Sequence, residues 1–136
     1  MTLKDTNKGF VLTETLISIA IDTCLLAIFF LIFTLFWNVF TDQSQKAQFY
    51  REAYTVQAYL KSDVNKALEI SVSPTEINLD NNVSYQANEG CLYRNNKPLA
   101  EADLIIFEKD TIGDNMLVTI FLQKKGIKLY INAGNY

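Results

Sequence analysis

Glu14 and Asp22 are the only charged side chains in an apolar run that covers residues 10–40. A charge at the centre of a bilayer costs about 2.5–3.5 kcal/mol on insertion scales, so an intramembrane carboxylate usually marks function and has a partner. Such a group has two chemical options. It can pair with a buried ammonium, each charge offsetting the other's desolvation and the pair fixing a register. Otherwise it is silent, either solvated by water at the cytoplasmic interface, the alternative for Glu14, or protonated in the low-dielectric medium, the alternative for Asp22. Upstream of Glu14 the chain reads Lys8-Gly9-Phe10-Val11-Leu12-Thr13-Glu14: a basic leader that ends in a glycine, followed by an aromatic residue. Asp22 lies eight residues after Glu14, on roughly the same side of a helix. Both options stand open for it.

No other group of residues makes a catalytic constellation. The chain has no histidine, which removes the commonest general base and the commonest metal ligand. There is no nucleophile with a base, no glycine-rich phosphate loop and no metal-ligand cluster, so no enzyme activity, cofactor or metal is expected. Asp110 and Asp114 flank Ile112-Gly113 in an expected loop. Two acids fall short of the six to eight oxygens that calcium takes, and a solvated turn is the better reading. Cys24 lies inside the apolar run and Cys91 far outside it, so two free thiols are expected rather than a disulfide; an intermolecular bridge through Cys91 is the other reading. Tyr50, Tyr54 and Tyr59 are either interface anchors or, as tyrosines more often are, half-buried packing residues.

These residues need elements to position them. The chain has 136 residues, room for one small domain besides its N-terminal segment. It carries 12 basic and 15 acidic residues, a net charge of −3, and no basic patch, so direct nucleic-acid binding is not expected. Residues 1–9 form a short polar leader whose Lys4 and Lys8 favour a cytoplasmic N-terminus. Residues 10–40 form a transmembrane helix, of which residues 23–40 are 18 positions without charge. The run is too long for an ordinary secretory signal, and no small-residue cleavage site follows it. Trp37 and Phe40 sit where an interfacial aromatic belt forms.

Residues 41–73 are assigned to an amphipathic continuation of that helix, reaching about residue 69. Phe49, Ala53, Val56, Leu60, Val64 and Ala67 recur at spacings of three and four, with Gln43, Gln45, Lys46, Arg51, Lys61 and Asp63 decorating the rest. Residues 74–136 read as an antiparallel sheet. Strands are expected at 76–79, 83–87, 91–94, 104–109, 116–123 and 127–131, separated by Asp80-Asn81-Asn82, Asn88-Glu89-Gly90, Asn95-Asn96 and Lys124-Lys125-Gly126. The fold class is therefore α+β: one long N-terminal helix, transmembrane and then amphipathic, packed on a small C-terminal antiparallel sheet.

Residues 8–19 resemble the leader-and-helix signal of type IV prepilins and type II secretion pseudopilins. The resemblance implies a pilin-like fold and processing by a prepilin peptidase between Gly9 and Phe10, with N-methylation of Phe10. A residue without a side chain at Gly9 gives the enzyme access to the backbone. It also implies a role for Glu14, whose carboxylate would pair with the N-terminal amine of a neighbouring subunit. Two features depart from the usual pattern. Asp22 has no counterpart in most members, and the frequent mid-helix proline is missing between residues 23 and 40, which weakens a major-pilin reading. The C-terminal half looks somewhat like minor subunits of Gram-positive competence pili and J-type pseudopilins. That likeness rests on Val83-Ser84-Tyr85, Cys91-Leu92-Tyr93-Arg94, Leu104-Ile105-Ile106-Phe107 and Met116-Leu117-Val118-Thr119-Ile120.

The expected function is thus a minor pilin or pseudopilin. Its partners would be the prepilin peptidase, other pilin subunits, membrane lipid before assembly and, indirectly, an inner-membrane platform protein and an assembly ATPase. Its expected place is the cytoplasmic membrane, with the C-terminal domain outside, and then a surface or periplasm-spanning filament. The competing class is a bitopic membrane protein with an unprocessed N-terminus and an external binding or sensing domain.

Overall fold

The computed structural model describes residues 4–112 and 115–134. Its first element is a single helix, α1, Lys4–Val64. No proline or glycine occurs from Phe10 to its end, so nothing breaks the hydrogen-bond ladder. The chain divides into two compact units, Met1–Ser44 and Gln45–Tyr136. The first unit is helical where described.

Among its described residues the second unit holds the end of α1 and eight strands. The strands are β1 (Ile70–Ser73), β2 (Glu76–Leu79), β3 (Val83–Asn88), β4 (Cys91–Arg94), β5 (Lys97–Glu101), β6 (Leu104–Ile112), β7 (Asn115–Lys124) and β8 (Ile127–Gly134). They form two antiparallel meanders, a five-stranded sheet β1-β2-β3-β4-β5 and a three-stranded sheet β6-β7-β8. The α+β class expected from the sequence is the class observed.

One stripe of α1 makes the core of this unit. Phe49, Ala53, Val56, Leu60 and Val64 are all buried, and they pack with Ile77, Tyr85 and Leu92 from the first sheet and Phe107, Val118, Ile120 and Ile131 from the second. Full burial of such a side chain contributes about 1.5–3 kcal/mol. That exceeds anything helix propensity alone supplies, so packing decides where the amphipathic helix lies.

The turns follow local chemistry. Glu89-Gly90, Asn95-Asn96 and Lys125-Gly126 each place two successive residues at positive φ, the conformation of the two-residue turns whose twist matches the flanking strands. At Gly90 the requirement is double: φ is +76°, and an added Cβ would lie 3.2 Å from the Ala102 carbonyl oxygen. That carbonyl belongs to a residue whose own amide donates to the Gly90 oxygen at 2.9 Å.

Four expectations need correction. The helix ends at Val64 rather than near residue 69, because the chain turns there and Ile70–Ser73 becomes β1. Its Ile-Ser-Val-Ser alternation puts Ile70 inward, a period-two signal that the assignment of residues 41–73 to helix overlooked. Among the described residues the strands number eight, not six, and make two sheets. The second missed strand is β5, which contains Pro98. A proline cannot donate to a ladder, but β5 is an edge strand, where that loss is tolerated; the register with β4 shifts next to it, between Leu92 and Tyr93. Asp110 lies in β6 rather than in a loop, and Asp114 lies outside the described residues.

Candidate functional site

In the first unit the chemistry-bearing residues stand on an uncovered helix. Twenty large apolar side chains between Phe10 and Phe40 are exposed, Phe10 itself at 73%. By length and composition α1 can cross a membrane. The threonines of this stretch suit that medium. Thr13 Oγ1 donates to the Phe10 carbonyl at 2.9 Å, Thr15 to Val11 and Leu12, Thr34 to Phe30 at 2.8 Å, and Thr23 to Ile19. In hydrocarbon an unsatisfied hydroxyl is penalised by several kcal/mol, and bonding back to the preceding turn removes the penalty. Phe33 stacks on Trp37 and Phe36 on Phe40, at centroid distances of 6.1 and 6.5 Å, the pairs that one helical turn brings together.

Gly9 and Phe10 lie within α1. Glu14 follows one turn later and is exposed, as is Asp22. Eight residues set the two carboxylates about 12 Å apart along the axis and about 80° apart around it. They share a broad side of the helix but do not stack, so one neighbouring ammonium cannot meet both. Cys24 is exposed and Cys91 half-buried, and both are free thiols.

The second unit holds a polar cluster that the sequence reading missed. Asp63, assigned there to the solvated face, is 5% exposed. It accepts from the Tyr85 hydroxyl at 2.5 Å and from Arg94 Nε and Nη2 at 2.8 and 3.0 Å. Burial pushes the Asp63 pKa up, but hydrogen bonds from Arg94 and Tyr85 and the Arg94 charge outweigh it and hold the carboxyl below its usual range. Burial, and then the Asp63 hydrogen bond, push the Tyr85 phenol well above its ordinary value. The Arg94 guanidinium also lies over the Tyr59 ring, 4.9 Å from its centroid, a cation–π contact. Asn81 Nδ2 donates to the Asp63 carbonyl at 3.3 Å, and the Leu68 amide donates to the Asp80 carboxylate at 3.0 Å. Together these contacts tie the end of α1 to β3, β4 and the β2–β3 turn.

Among the described residues every buried polar side-chain atom, those of this cluster included, has a hydrogen-bond partner. The signal for it was in the spacing: Asp63 falls three residues after Leu60 and seven after Val56, on the buried stripe. Tyr50, Tyr54 and Tyr59 are exposed rather than half-buried packing residues. Among the described residues no group of three or more cysteine or acidic side chains could hold a metal ion. Comparisons of this chain with protein-family models, with curated proteins and with solved structures return no match.

Proposed function

We propose that the chain is a minor pilin or pseudopilin, a structural subunit of a type IV pilus-like, competence or type II secretion filament. The observation that carries this reading is the bare helix at residues 10–40. Its apolar side chains are uncovered on every side while Glu14 stands among them one turn after Phe10. A surface of that kind is stable in lipid, or among like helices in a filament core.

In this reading Lys4 and Lys8 hold the leader at the cytoplasmic face while the helix inserts. A prepilin peptidase cuts between Gly9 and Phe10. Glycine is about 1 kcal/mol less favourable than alanine in a helix, so α1 opens more easily there. The cut creates an ammonium on Phe10, which is then methylated. Glu14 docks on the Phe10 amine of a neighbouring subunit, and the paired charges fix the axial stagger. Asp22, about 12 Å further along, meets a different neighbour. The C-terminal unit stays on the outer side, as the surface of the fibre. The platform protein and ATPase act on the assembly, and the subunit itself performs no catalysis.

The test is the N-terminal mass of the chain made with and without a cognate prepilin peptidase. A product that begins at N-methylated Phe10 is expected. An intact N-terminus in the presence of active peptidase would overturn the reading in favour of an unprocessed bitopic protein.

A further inference from the structure

The outer face of the three-stranded sheet carries an ordered pattern of charge and apolar surface. Register places Leu104, Gln123 and Lys128 side by side at one end, then Ile106, Phe121 and Tyr130, then Glu108, Thr119 and Asn132. The alternate residues of the same strands, Phe107, Ile120 and Ile131 among them, face the core. Leu104, Ile106 and Tyr130 are exposed, Tyr130 at 66%, and the Phe121 and Tyr130 rings touch at a centroid distance of 4.9 Å. Lys128 and Glu108 are exposed as well. Phe121 itself is buried, 9% exposed, beneath the exposed Leu104 and Ile106 of one outer strand and Tyr130 of the other. Single exposed apolar residues are normal on a protein surface, but a cluster of this kind rimmed by charge marks an interface. Aromatic residues are also the usual anchors of such interfaces.

We infer that this face docks on the same face of a second copy of the chain. The charges select that occupant. Lys128 and Glu108 sit at diagonally opposite corners with Phe121 midway between them. A two-fold axis lying in the interface, above Phe121 and perpendicular to the Lys128–Glu108 diagonal, sets the centres of the two faces against each other. It also places Lys128 over the second copy's Glu108, and Glu108 over the second copy's Lys128. The contact is isologous: each patch is its own complement. The two sheets then cross steeply, in the near-orthogonal class of sheet packing. A partner of uniform charge would satisfy one corner and repel the other. A three-stranded face is small, so the dimer belongs to the weak, transient class of interfaces.

The proposal does not rest on the filament reading, and its test is run where that reading cannot intervene. The full chain is expressed in the membranes of a host without pilus machinery, as two differently tagged copies, with a photoreactive benzoylphenylalanine replacing Tyr130. Light is expected to give an adduct of twice the chain mass that carries both tags. Lys128→Glu or Glu108→Lys alone should lower its yield about tenfold, because like charges then face each other at both corners, and the double exchange should restore it. Glu14→Ala should leave the adduct unchanged. Failure to form it, adducts with other proteins only, or indifference to the charge exchanges would each overturn the inference.

Discussion

The Asp63 carboxylate meets the Arg94 guanidinium through two contacts, 2.8 Å from Nε to Oδ2 and 3.0 Å from Nη2 to Oδ1. A fork of this kind fixes both direction and distance. It joins the last turn of the helix to the fourth strand, 31 residues away in sequence. Removing the carboxylate leaves a guanidinium and a buried phenol without their acceptor. Breaking a buried pair costs about 3–5 kcal/mol, and Asp63→Ala is expected at the lower end because Arg94 keeps some solvent access. Thermal melts of the full chain in detergent, read by proteolysis of the C-terminal unit, should fall by more than about 10 °C. Arg94→Lys alone should cost less than Asp63→Ala, since it keeps the positive charge opposite Asp63 but not the fork.

The same cluster sets a pH dependence. The Asp63 pKa is lowered on folding, so its contribution is complete above the ordinary carboxylate range, about pH 4, and is lost as pH falls through the lowered value. The Tyr85 pKa is raised, so stability also falls as pH rises above about 10. Denaturant midpoints measured across pH should show both flanks. Asp63→Asn should flatten the acid flank and lower the plateau.

Gly90 and Gly126 separate two effects of glycine. Both have positive φ, but a Cβ on Gly90 would meet the Ala102 carbonyl oxygen at 3.2 Å while one on Gly126 would meet nothing within 4 Å. Gly126→Ala should cost about 1–2 kcal/mol from backbone conformation alone. Gly90→Ala should cost more. Urea titrations of the two variants under one condition give the comparison directly.

On the helix, burial rather than residue type decides the cost of truncation. Leu60 is fully buried and Tyr54 is 75% exposed, although both lie in the same amphipathic segment. Leu60→Ala should destabilise by about 2–5 kcal/mol, whereas Tyr54→Ala should stay within about 0.5 kcal/mol. Unfolding midpoints distinguish the two, and a large Tyr54 effect would show that its ring is covered in the assembled state.

Glu14→Ala should leave membrane insertion, peptidase processing and the melting of the C-terminal unit unchanged, yet abolish recovery of the chain in sheared surface filaments or their equivalent. Gly9→Val should block the cut without affecting insertion. Membrane fractionation with N-terminal mass measurement separates the two phenotypes. Loss of insertion in either variant would argue against the assigned roles.

The helix, the fold class and the core stripe were legible because each rests on a repeated local signal. The apolar run has no breaker, and Phe49, Ala53, Val56, Leu60 and Val64 repeat with the helical period. Six strands were legible from alternation and turn residues. The two that escaped were masked by their neighbours. Ile70–Ser73 directly follows a helix, and Lys97–Glu101 contains a proline that only an edge position accommodates. The division into two sheets depends on pairings that no short segment encodes. Asp63 escaped because composition places acids on the surface; its partners Tyr85 and Arg94 lie 22 and 31 residues onward. The resemblance to prepilins rests on a short stretch of sequence, residues 8–19.

The uncovered helix has a thermodynamic consequence for traffic. Moving its twenty large apolar side chains into water would be uphill by about 30–60 kcal/mol, at about 1.5–3 kcal/mol each. On the thermal scale of a cell that excludes a freely diffusing aqueous intermediate. For a chain whose helix lies in a bilayer, departure therefore has to be a lateral handover, in which one oily sheath is exchanged for another before the first is given up. In the proposed filament reading the membrane is then the reservoir of subunits, and the supply of chains to the growing structure is limited by two-dimensional diffusion rather than by solubility.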